Sequence, residues 1–390
     1  MYVWQRSDWP GFHWDDAALG VVVAEARFRQ GKFLGLMEAA GFDTRLQAEL
    51  EATSEDVIKT SAIEGEVLNP ASVRSSIARR LGIPDGGLAP TDRKIEGIVD
   101  MLLDATKRFD SALTQERIFG WHAGLFPTGY SGISKIDVGQ WRTDREGAMQ
   151  VVSNVYSPKP KIHYEAPPAA RVSQEMAQFL EWFNSSVDMD GLTRAGLAHL
   201  WFVTIHPLDD GNGRVGRAVA DLAVAQMERT GQRFYSMSSQ IEREKRAYYD
   251  ILERTQKGDL DITEWLTWFT GCYQRAIEAV SNLTANVVNK AKFWRYMAAH
   301  PALSERQKKV LDKLLDGFEG NITTDKWRNM CKCSADTAQR DIADLVQRGL
   351  LAKNTSGGRS TSYSFRLPLQ DDIEETPSDG VSDDPPPWGL

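Results

Sequence analysis

Cysteine, one-sided charge and long apolar runs are all scarce in this chain, and each scarcity excludes a class of protein. Only three of the 390 residues are cysteine, an odd and sparse set. That count excludes a disulfide framework and favours a reducing compartment. No stretch reaches the roughly 18 apolar residues that a membrane span needs, and Met1 to Arg6 show no apolar signal region. We therefore expect a cytoplasmic protein with no membrane partner.

The net charge of −8 is distributed unevenly. Between Asp371 and Asp384 there are seven acidic residues and no basic ones, which leaves the rest of the chain nearly neutral. This composition predicts a disordered tail. The length suits two or three domains. We predict a helical N-terminal extension over 1–90, a central domain over 91–285, a connecting helix with a small C-terminal domain over 286–368, and the acidic tail over 369–390.

The most informative segment is His206–Arg217, which reads His-Pro-Leu-Asp-Asp-Gly-Asn-Gly-Arg-Val-Gly-Arg. A histidine suits proton abstraction near neutral pH, and a well-placed general base contributes roughly 10²–10⁴-fold. The Asp210 carboxylate is a hard oxygen ligand of the kind that Mg²⁺ uses when it also holds substrate phosphates. One short turn therefore combines a candidate base, His206, with a candidate metal ligand.

The second half of the segment is typical of an anion site. Gly211 and Gly213 free the backbone to turn sharply, so that consecutive N–H groups can face an anion. Arg214 and Arg217 are three residues apart at the start of an expected helix. They therefore share a face near the positive end of its dipole. These features predict a polyphosphate ligand.

The segment resembles the signature of the Fic family, His-Pro-Phe-x-(Asp/Glu)-Gly-Asn-Gly-Arg-x-x-Arg, with Leu208 in place of the usual phenylalanine. Fic proteins mostly transfer AMP from ATP to a protein hydroxyl and release pyrophosphate. The resemblance implies that His206 deprotonates a target Ser, Thr or Tyr, and that Asp210 holds Mg²⁺ on the co-substrate ATP. Asn212 favours nucleotidyl transfer, since lysine there is typical of relatives that transfer phosphate. The expected nucleotide-binding residues are Asp210, Gly211, Asn212, Gly213, Arg214, Val215, Gly216 and Arg217.

Far upstream, Thr60–Gly65 resembles the inhibitory motif of this family, (Ser/Thr)-x-x-x-Glu-(Gly/Asn). We expect it to lie on a helix from Glu51 to Glu66. The resemblance implies that Glu64 pairs with Arg217 and withholds that guanidinium from the γ-phosphate. Two other functions stay open. One is removal of AMP by the same site, with Glu64 orienting a water, and the other is a DNA-binding regulator whose Fic domain only senses nucleotide.

Apolar spacing predicts a mainly α fold in which the signature joins two helices. The expected helices are Ala17–Ala40, Arg171–Asn184, Leu192–Ile205, Arg214–Thr230 and Ile241–Gln256. Between Gly139 and Tyr164 the pattern changes and indicates a β-hairpin. By the resemblance, this hairpin is the flap that docks a target segment by strand addition, with Val151 and Val152 as docking residues.

Tyr248 and Tyr249 lie on the helix that is expected to close over the nucleotide. Adjacent residues face different sides of a helix, so at most one of them stacks on adenine, and core packing of both is the alternative. His199 is expected to be a packed core histidine. Cys331 and Cys333 are expected to lie in a core and not at a metal site.

Residues 301–366 resemble a winged helix-turn-helix, with a glycine-rich wing over Gly357–Tyr363. The expected contact residues are Thr337, Gln339, Arg340 and Arg359. Twelve basic and eight acidic residues between Leu303 and Arg366 are too even a balance to choose between DNA binding and protein docking.

The predicted architecture is thus a Fic-type helical core with a short β-hairpin flap, plus a C-terminal winged helix-turn-helix. By the resemblance, the main partner is a hydroxyl-bearing target protein, which can be the protein itself. DNA or a second protein is expected at the C-terminal domain, and a homodimer stays open.

Overall fold

The computed structural model describes residues 1–83, 89–145, 147–153, 161–186, 188–315, 318, 320–354 and 361–366. This part of the chain is mainly helical with a few short strands, which confirms the predicted fold class. The chain divides into two compact units, Met1–Ser281 and Asn282–Leu390. Among the described residues, no helix combines the length and apolarity needed to cross a lipid bilayer.

The first unit starts with a 3-10 turn at Val3–Gln5, followed by α1 (Asp16–Glu38), α2 (Phe42–Ile63) and α3 (Pro70–Leu81). The helix ends follow from local sequence. The Asp15 carboxylate accepts from the N–H groups of Ala17 and Ala18 and caps α1. Asn69 caps α3, and Pro70 suits its first position because the N–H that proline lacks would have no partner within the helix there.

The helix predicted over Glu51–Glu66 is part of α2, which begins earlier, at Phe42, and ends at Ile63, before Glu64. Glu64 is the C-cap residue of α2, and Gly65 has a φ of +82°. A left-handed glycine after the last helical turn is a common way to end a helix. The glutamate of the motif therefore lies where the chain leaves the helix, not on its side.

The middle of the first unit is built around one buried helix. Its elements are α4 (Arg93–Lys107), α5 (Gln115–Leu125), α6 (Ala169–Ser185), α7 (Gly191–Ile205) and α8 (Asn212–Glu228). Every residue of α7 after the first is buried, because its sequence is apolar on nearly all sides. A Cβ on Gly216 would lie 2.8 Å from Val203, so this glycine lets α8 approach α7 closely. The loop between the two helices therefore has a rigid base.

The single helix predicted over Ile241–Gln256 is two helices, α9 (Met237–Arg243) and α10 (Lys245–Lys257). Glu244 separates them. Its carboxylate accepts two hydrogen bonds from Arg275, at 2.6 and 2.7 Å, on the long helix α11 (Thr263–Ala298). The break coincides with a tertiary ion pair that local sequence does not contain.

Two short hairpins complete the first unit: β1 (Tyr130–Ser131) with β2 (Ser134–Lys135), and β3 (Gln150–Ser153) with β4 (Lys161–Glu165). The second is the predicted hairpin, with a β-bulge between Val151 and Val152. The buried Tyr164 hydroxyl donates to the Thr204 carbonyl at 2.6 Å. This bond anchors the hairpin beside the end of α7.

The second unit contains the end of α11 and three further helices, α12 (Glu305–Leu315), α13 (Thr324–Cys331) and α14 (Ala335–Gln347). Its sheet comprises β5 (Ile322–Thr323), β6 (Leu351–Lys353) and β7 (Ser362–Phe365) in the order β5-β7-β6. Trp327 lies in its core. The winged helix-turn-helix assignment stays a prediction. Arg359, with the rest of 355–360, and the acidic tail over 369–390 lie outside the described residues.

Candidate active site

One amide side chain closes the loop between α7 and α8. Asn212 Oδ1 accepts from the Leu208 N–H at 2.9 Å, and its Nδ2 donates to the Leu208 carbonyl at 2.7 Å. Leu208 is fully buried and so anchors the loop in the core. The Asn212 side chain is thus committed to the loop, which leaves its main-chain N–H for the anion site predicted there.

His206 ends α7 with a φ of 52°, a left-handed conformation that is uncommon for a residue with a side chain. Its Nδ1 lies 3.1 Å from the Val203 carbonyl. A carbonyl only accepts, so Nδ1 carries the proton and Nε2 keeps its lone pair. Burial of the ring lowers the pKa of His206 to about 4. The imidazole is therefore neutral at pH 7, the state that a general base needs.

Arg142, which the sequence did not reveal, holds the main chain of this turn. Its side-chain Nε donates to the His206 carbonyl at 2.7 Å, and its main-chain N–H donates to the Pro207 carbonyl at 2.9 Å. The guanidinium also binds the Pro167 carbonyl and the Asp144 carboxylate. Arg142 is only 2% exposed. It therefore ties three separate segments to the position of the histidine.

Helix α8 begins at the edge of the site. Gly211 has a φ of +80°, and no side chain caps this helix N-terminus. The first N–H groups of an α-helix have no partner within the helix and carry the positive end of its dipole. The N–H groups of Asn212 and Gly213 are therefore suited to hold an anion.

The Asp210 carboxylate fits a Mg²⁺ ion at this helix end. The Ser131 hydroxyl and the Gly211 N–H, at 2.5 Å, orient it, and its side chain is 42% exposed. Among the residues that the structure describes, no cluster of three or more His, Cys, Asp or Glu could hold a metal unaided. A single carboxylate suits Mg²⁺, which keeps several waters and takes further ligands from substrate phosphates.

Arg217 is buried against the segment Thr60–Gly65. Its Nε donates to Thr60 Oγ1 at 2.7 Å, and its Nη2 donates to the Thr60 carbonyl and to Glu64 Oε1, both at 2.9 Å. Burial opposes the charge of this guanidinium, but Glu64, Tyr248 and Tyr249 together outweigh it and raise the pKa of Arg217. A Cβ on Gly213 would overlap Glu64 Oε1. The carboxylate therefore lies directly over the start of α8, where an anion would bind.

Arg214 pairs with a second carboxylate, Glu66. Its Nη1 donates to Glu66 Oε2 at 3.0 Å, while the other oxygen of Glu66 binds Lys94. The guanidinium carbon lies 5.0 Å from the centroid of the Phe126 ring, within reach of a cation–π interaction. Its Nη2 is 3.9 Å from Asp210 Oδ1. Each arginine of the signature thus contacts one acid just after α2.

A cavity of about 520 Å³ opens beside His206 and the start of α8. Its walls include Glu64, His206, Gly213, Val151, Val152 and Tyr249. The hairpin β3–β4 and the histidine therefore face one space. In the described structure β3 pairs only with β4, so its second edge is available to a further strand.

The two tyrosines differ in environment. Tyr248 is 2% exposed, and its hydroxyl lies 2.8 Å from Nε2 of His199, which is itself buried as expected. Tyr249 is 38% exposed, and its hydroxyl donates to the Ile63 carbonyl at 3.4 Å. A ligand in the cavity can therefore reach the Tyr249 ring more readily than that of Tyr248.

Val215 and Gly216, expected from the sequence to bind the nucleotide, lie in packing contacts. Val215 is fully buried, and its N–H donates to the Gly211 carbonyl at 2.9 Å. Gly216 faces α7. Of the residues that sequence reasoning did not identify, Glu66 had a signal, an acid two positions after Glu64. Arg142 had none, because its partners are mostly main-chain carbonyls.

Two family models match separate parts of the chain. Residues 112–224 match the Fic/DOC family, and residues 2–83 match the domain of unknown function DUF4172. The first match contains the whole signature. The second contains Glu64 and Glu66, so the acids and the arginines that they contact come from two differently classified segments.

Two curated relatives are similar to this chain over 60% or more of its length. "Protein adenylyltransferase fic-1" of Caenorhabditis briggsae is 27% identical over 271 residues, which cover 66% of this chain and 46% of the relative. "Protein adenylyltransferase Fic" of Aedes aegypti is 25% identical over 243 residues, 60% of this chain and 42% of the relative. The chain thus spans less than half the length of these relatives.

A crystal structure of a Fic family protein from Desulfovibrio desulfuricans has a similar fold. The TM-score is 0.51 with 18% sequence identity, over 90% of this chain and 97% of the other. At this identity the likeness concerns the fold alone.

Proposed function

This chain contains a Fic/DOC family domain over residues 112–224, and we propose that the domain transfers AMP from ATP to a hydroxyl group of a protein. The names of the two curated relatives support adenylyl transfer. The observation that carries the proposal is the neutral His206, which keeps a lone pair on Nε2 and borders the same cavity as Gly213 at the start of α8. A base for the hydroxyl and an anion site for the phosphates then lie together.

In this reaction the hydroxyl oxygen attacks the α-phosphorus of ATP. The bond from that phosphorus to the bridging oxygen breaks, and pyrophosphate leaves. His206 Nε2 takes the hydroxyl proton, while the bond from Nδ1 to the Val203 carbonyl keeps the ring oriented. Arg214, Arg217 and the N–H groups at the start of α8 offset the phosphate charge. Asp210 would hold Mg²⁺, which when bound neutralises charge on the phosphates.

The acceptor is proposed to be a segment of a protein that adds to the free edge of β3. Val151 and Val152 border the cavity on this strand, so an extended segment paired there would reach the space in front of His206. Main-chain pairing is independent of most side chains, so a segment of this protein itself is a further acceptor.

The buried Cys272 and the absence of disulfides at all three cysteines are compatible with a cytoplasmic setting.

Glu64 is proposed to restrain this activity. Its carboxylate takes one donor of Arg217 and lies over Gly213, so it occupies space that a phosphate would need. Arg217 Nη1 is buried and has no hydrogen-bond partner in the described structure. A phosphate oxygen would satisfy that donor when the glutamate moves away.

The C-terminal unit is proposed to dock DNA or another protein through α14. Gln339 and Arg340 are exposed on this helix, and Ser334 caps its start by accepting from the Thr337 N–H at 3.3 Å. A labelled DNA duplex whose gel shift weakens steeply with salt would identify DNA as the partner. No shift at low salt would leave protein docking.

The transferase proposal is tested with α-labelled ATP and Mg²⁺. The Glu64→Gly protein should label itself or an added lysate protein, and Glu64→Gly/His206→Ala should not, although both bind ATP in calorimetry. Equal labelling in the two variants would remove His206 from the mechanism. ATP binding without label in either variant would favour AMP removal, assayed on a labelled protein, or nucleotide sensing.

A further inference from the structure

We propose that Glu66 is a positioning residue for Arg214, which it holds in the orientation that binds the nucleotide phosphates. This inference rests on the adenylyl transfer proposed above. Glu64 and Glu66 are two positions apart, and each binds one arginine of the signature. Their similar chemistry suggests two inhibitory acids. Their surroundings point to opposite effects.

The first difference is where each carboxylate lies. The atoms nearest to a Cβ built on Gly213 belong to Glu64 and Arg217. Glu64 therefore obstructs the anion position at the start of α8. Glu66 is not among those neighbours. Its own partners are Arg214 Nη1 and Lys94, and it contributes none of the three atoms nearest to that position.

The second difference is how Arg214 is held. The guanidinium is almost fully buried, and Phe126 covers one of its faces while Glu66 binds Nη1. These two contacts leave the Nη2 edge directed toward Asp210, at a distance of 3.9 Å that is longer than a hydrogen bond. An oxygen of a phosphate bound beside Asp210 could therefore be met by Nη2 without loss of the Glu66 contact.

Lys94 supports the same role. It binds the second oxygen of Glu66, so this carboxylate is fixed from two sides and its charge is shared between two cations. A carboxylate held in this way orients an arginine but neutralises it only in part. On this proposal the chain at Glu66 stays in contact with Arg214 on activation, and only the Glu64 side chain rotates away.

The test compares Glu66→Ala, Glu66→Gln and the surface control Glu55→Gln, each in the Glu64→Gly background. The measurements are the Kd for ATP by calorimetry and the KM and kcat of labelling. We expect Glu66→Ala to raise Kd and KM for ATP about tenfold, the size of one charge-assisted hydrogen bond, with a smaller change in kcat. Glu66→Gln should restore most of the affinity, because its carbonyl oxygen still accepts from Arg214. Glu55→Gln, exposed on α2, should have no effect.

Arg214→Ala separates positioning from a general loss of structure. In the Arg214→Ala/Glu64→Gly protein, Glu66→Ala should not weaken ATP binding further, whereas a purely structural role would weaken it again. Unchanged or tighter ATP binding in Glu66→Ala would overturn the inference. So would faster labelling by Glu66→Ala with Glu64 intact, since that result would make Glu66 a second inhibitor. If Glu64→Gly labels nothing, adenylyl transfer fails, but the calorimetry still decides the role of Glu66.

Discussion

Replacing Glu64 by glycine should increase AMP transfer by an amount that its contacts allow us to estimate. The carboxylate accepts one charge-assisted hydrogen bond from Arg217, a class worth about 1.5–3 kcal/mol. The Glu64 side chain is 32% exposed, so solvent screening reduces this to about 1–2 kcal/mol. At about 1.4 kcal/mol for each factor of ten, the equilibrium constant for pairing Arg217 with ATP should rise roughly 5- to 30-fold. Removal of the steric overlap at Gly213 adds to this figure.

The assay follows label from α-labelled ATP onto protein over time for wild type, Glu64→Gly, Glu64→Gln and the control Glu55→Gln. The glutamine variant loses the charge but keeps the size of the side chain over Gly213. Its increase should therefore be smaller than that of glycine, and the difference between the two separates charge from steric exclusion. Arg217 keeps both of its bonds to Thr60, so each variant should fold.

Two results would refute this reasoning. Equal rates for Glu64→Gly and wild type would show that the contact with Arg217 does not limit transfer. Label that is present on wild type and lost in Glu64→Gly would make the carboxylate part of the chemistry, as expected of an acid that orients a water.

Three further changes test other parts of the site. Asp210→Ala in the Glu64→Gly background should abolish Mg²⁺-dependent labelling, and undiminished Mg²⁺-dependent labelling would exclude the metal role. Arg142→Lys, in the same background, should lower kcat at least about tenfold with little change in the Kd for ATP, because it misplaces the histidine and not the phosphates; an unchanged kcat would argue against that role. Burial lowers the pKa of His122 to about 4, so the unfolded chain binds this proton below about pH 6.5 while the folded protein resists until about pH 4. The contribution of His122 to the free energy of unfolding therefore decreases as the pH is lowered from about 6.5 to about 4. His122→Phe should consequently show a shallower decrease of Tm from pH 7 to 5 than wild type. Parallel curves for the two proteins would contradict the assignment.

How far sequence could anticipate this structure depends on whether the cause of a feature is local. The bounds of α7 differ from prediction by one residue, because its apolar sequence and the Asp190 cap are both local. The break between α9 and α10 at Glu244 could not be predicted from the sequence, since it coincides with contacts to Arg275, 31 positions away. Within the site, residue types and spacing marked the histidine, the acid and the arginines. The role of Arg142 could not be predicted in this way, because it binds mainly main-chain carbonyls, which every residue has.

The bare main chain at Gly213 has a consequence for how the protein senses its substrate. Under the proposed restraint, Glu64 and a phosphate compete for the same space at Gly213, and the acid acts as a ligand that the protein supplies to itself. A group held by a short tether competes at an effective concentration set by that tether, of order millimolar for short flexible linkers. The rigid end of α2 and the turn at Gly65 set this value here. Anything that shifts the end of α2 by a fraction of a side chain's length would then change the ATP concentration at which the protein becomes active.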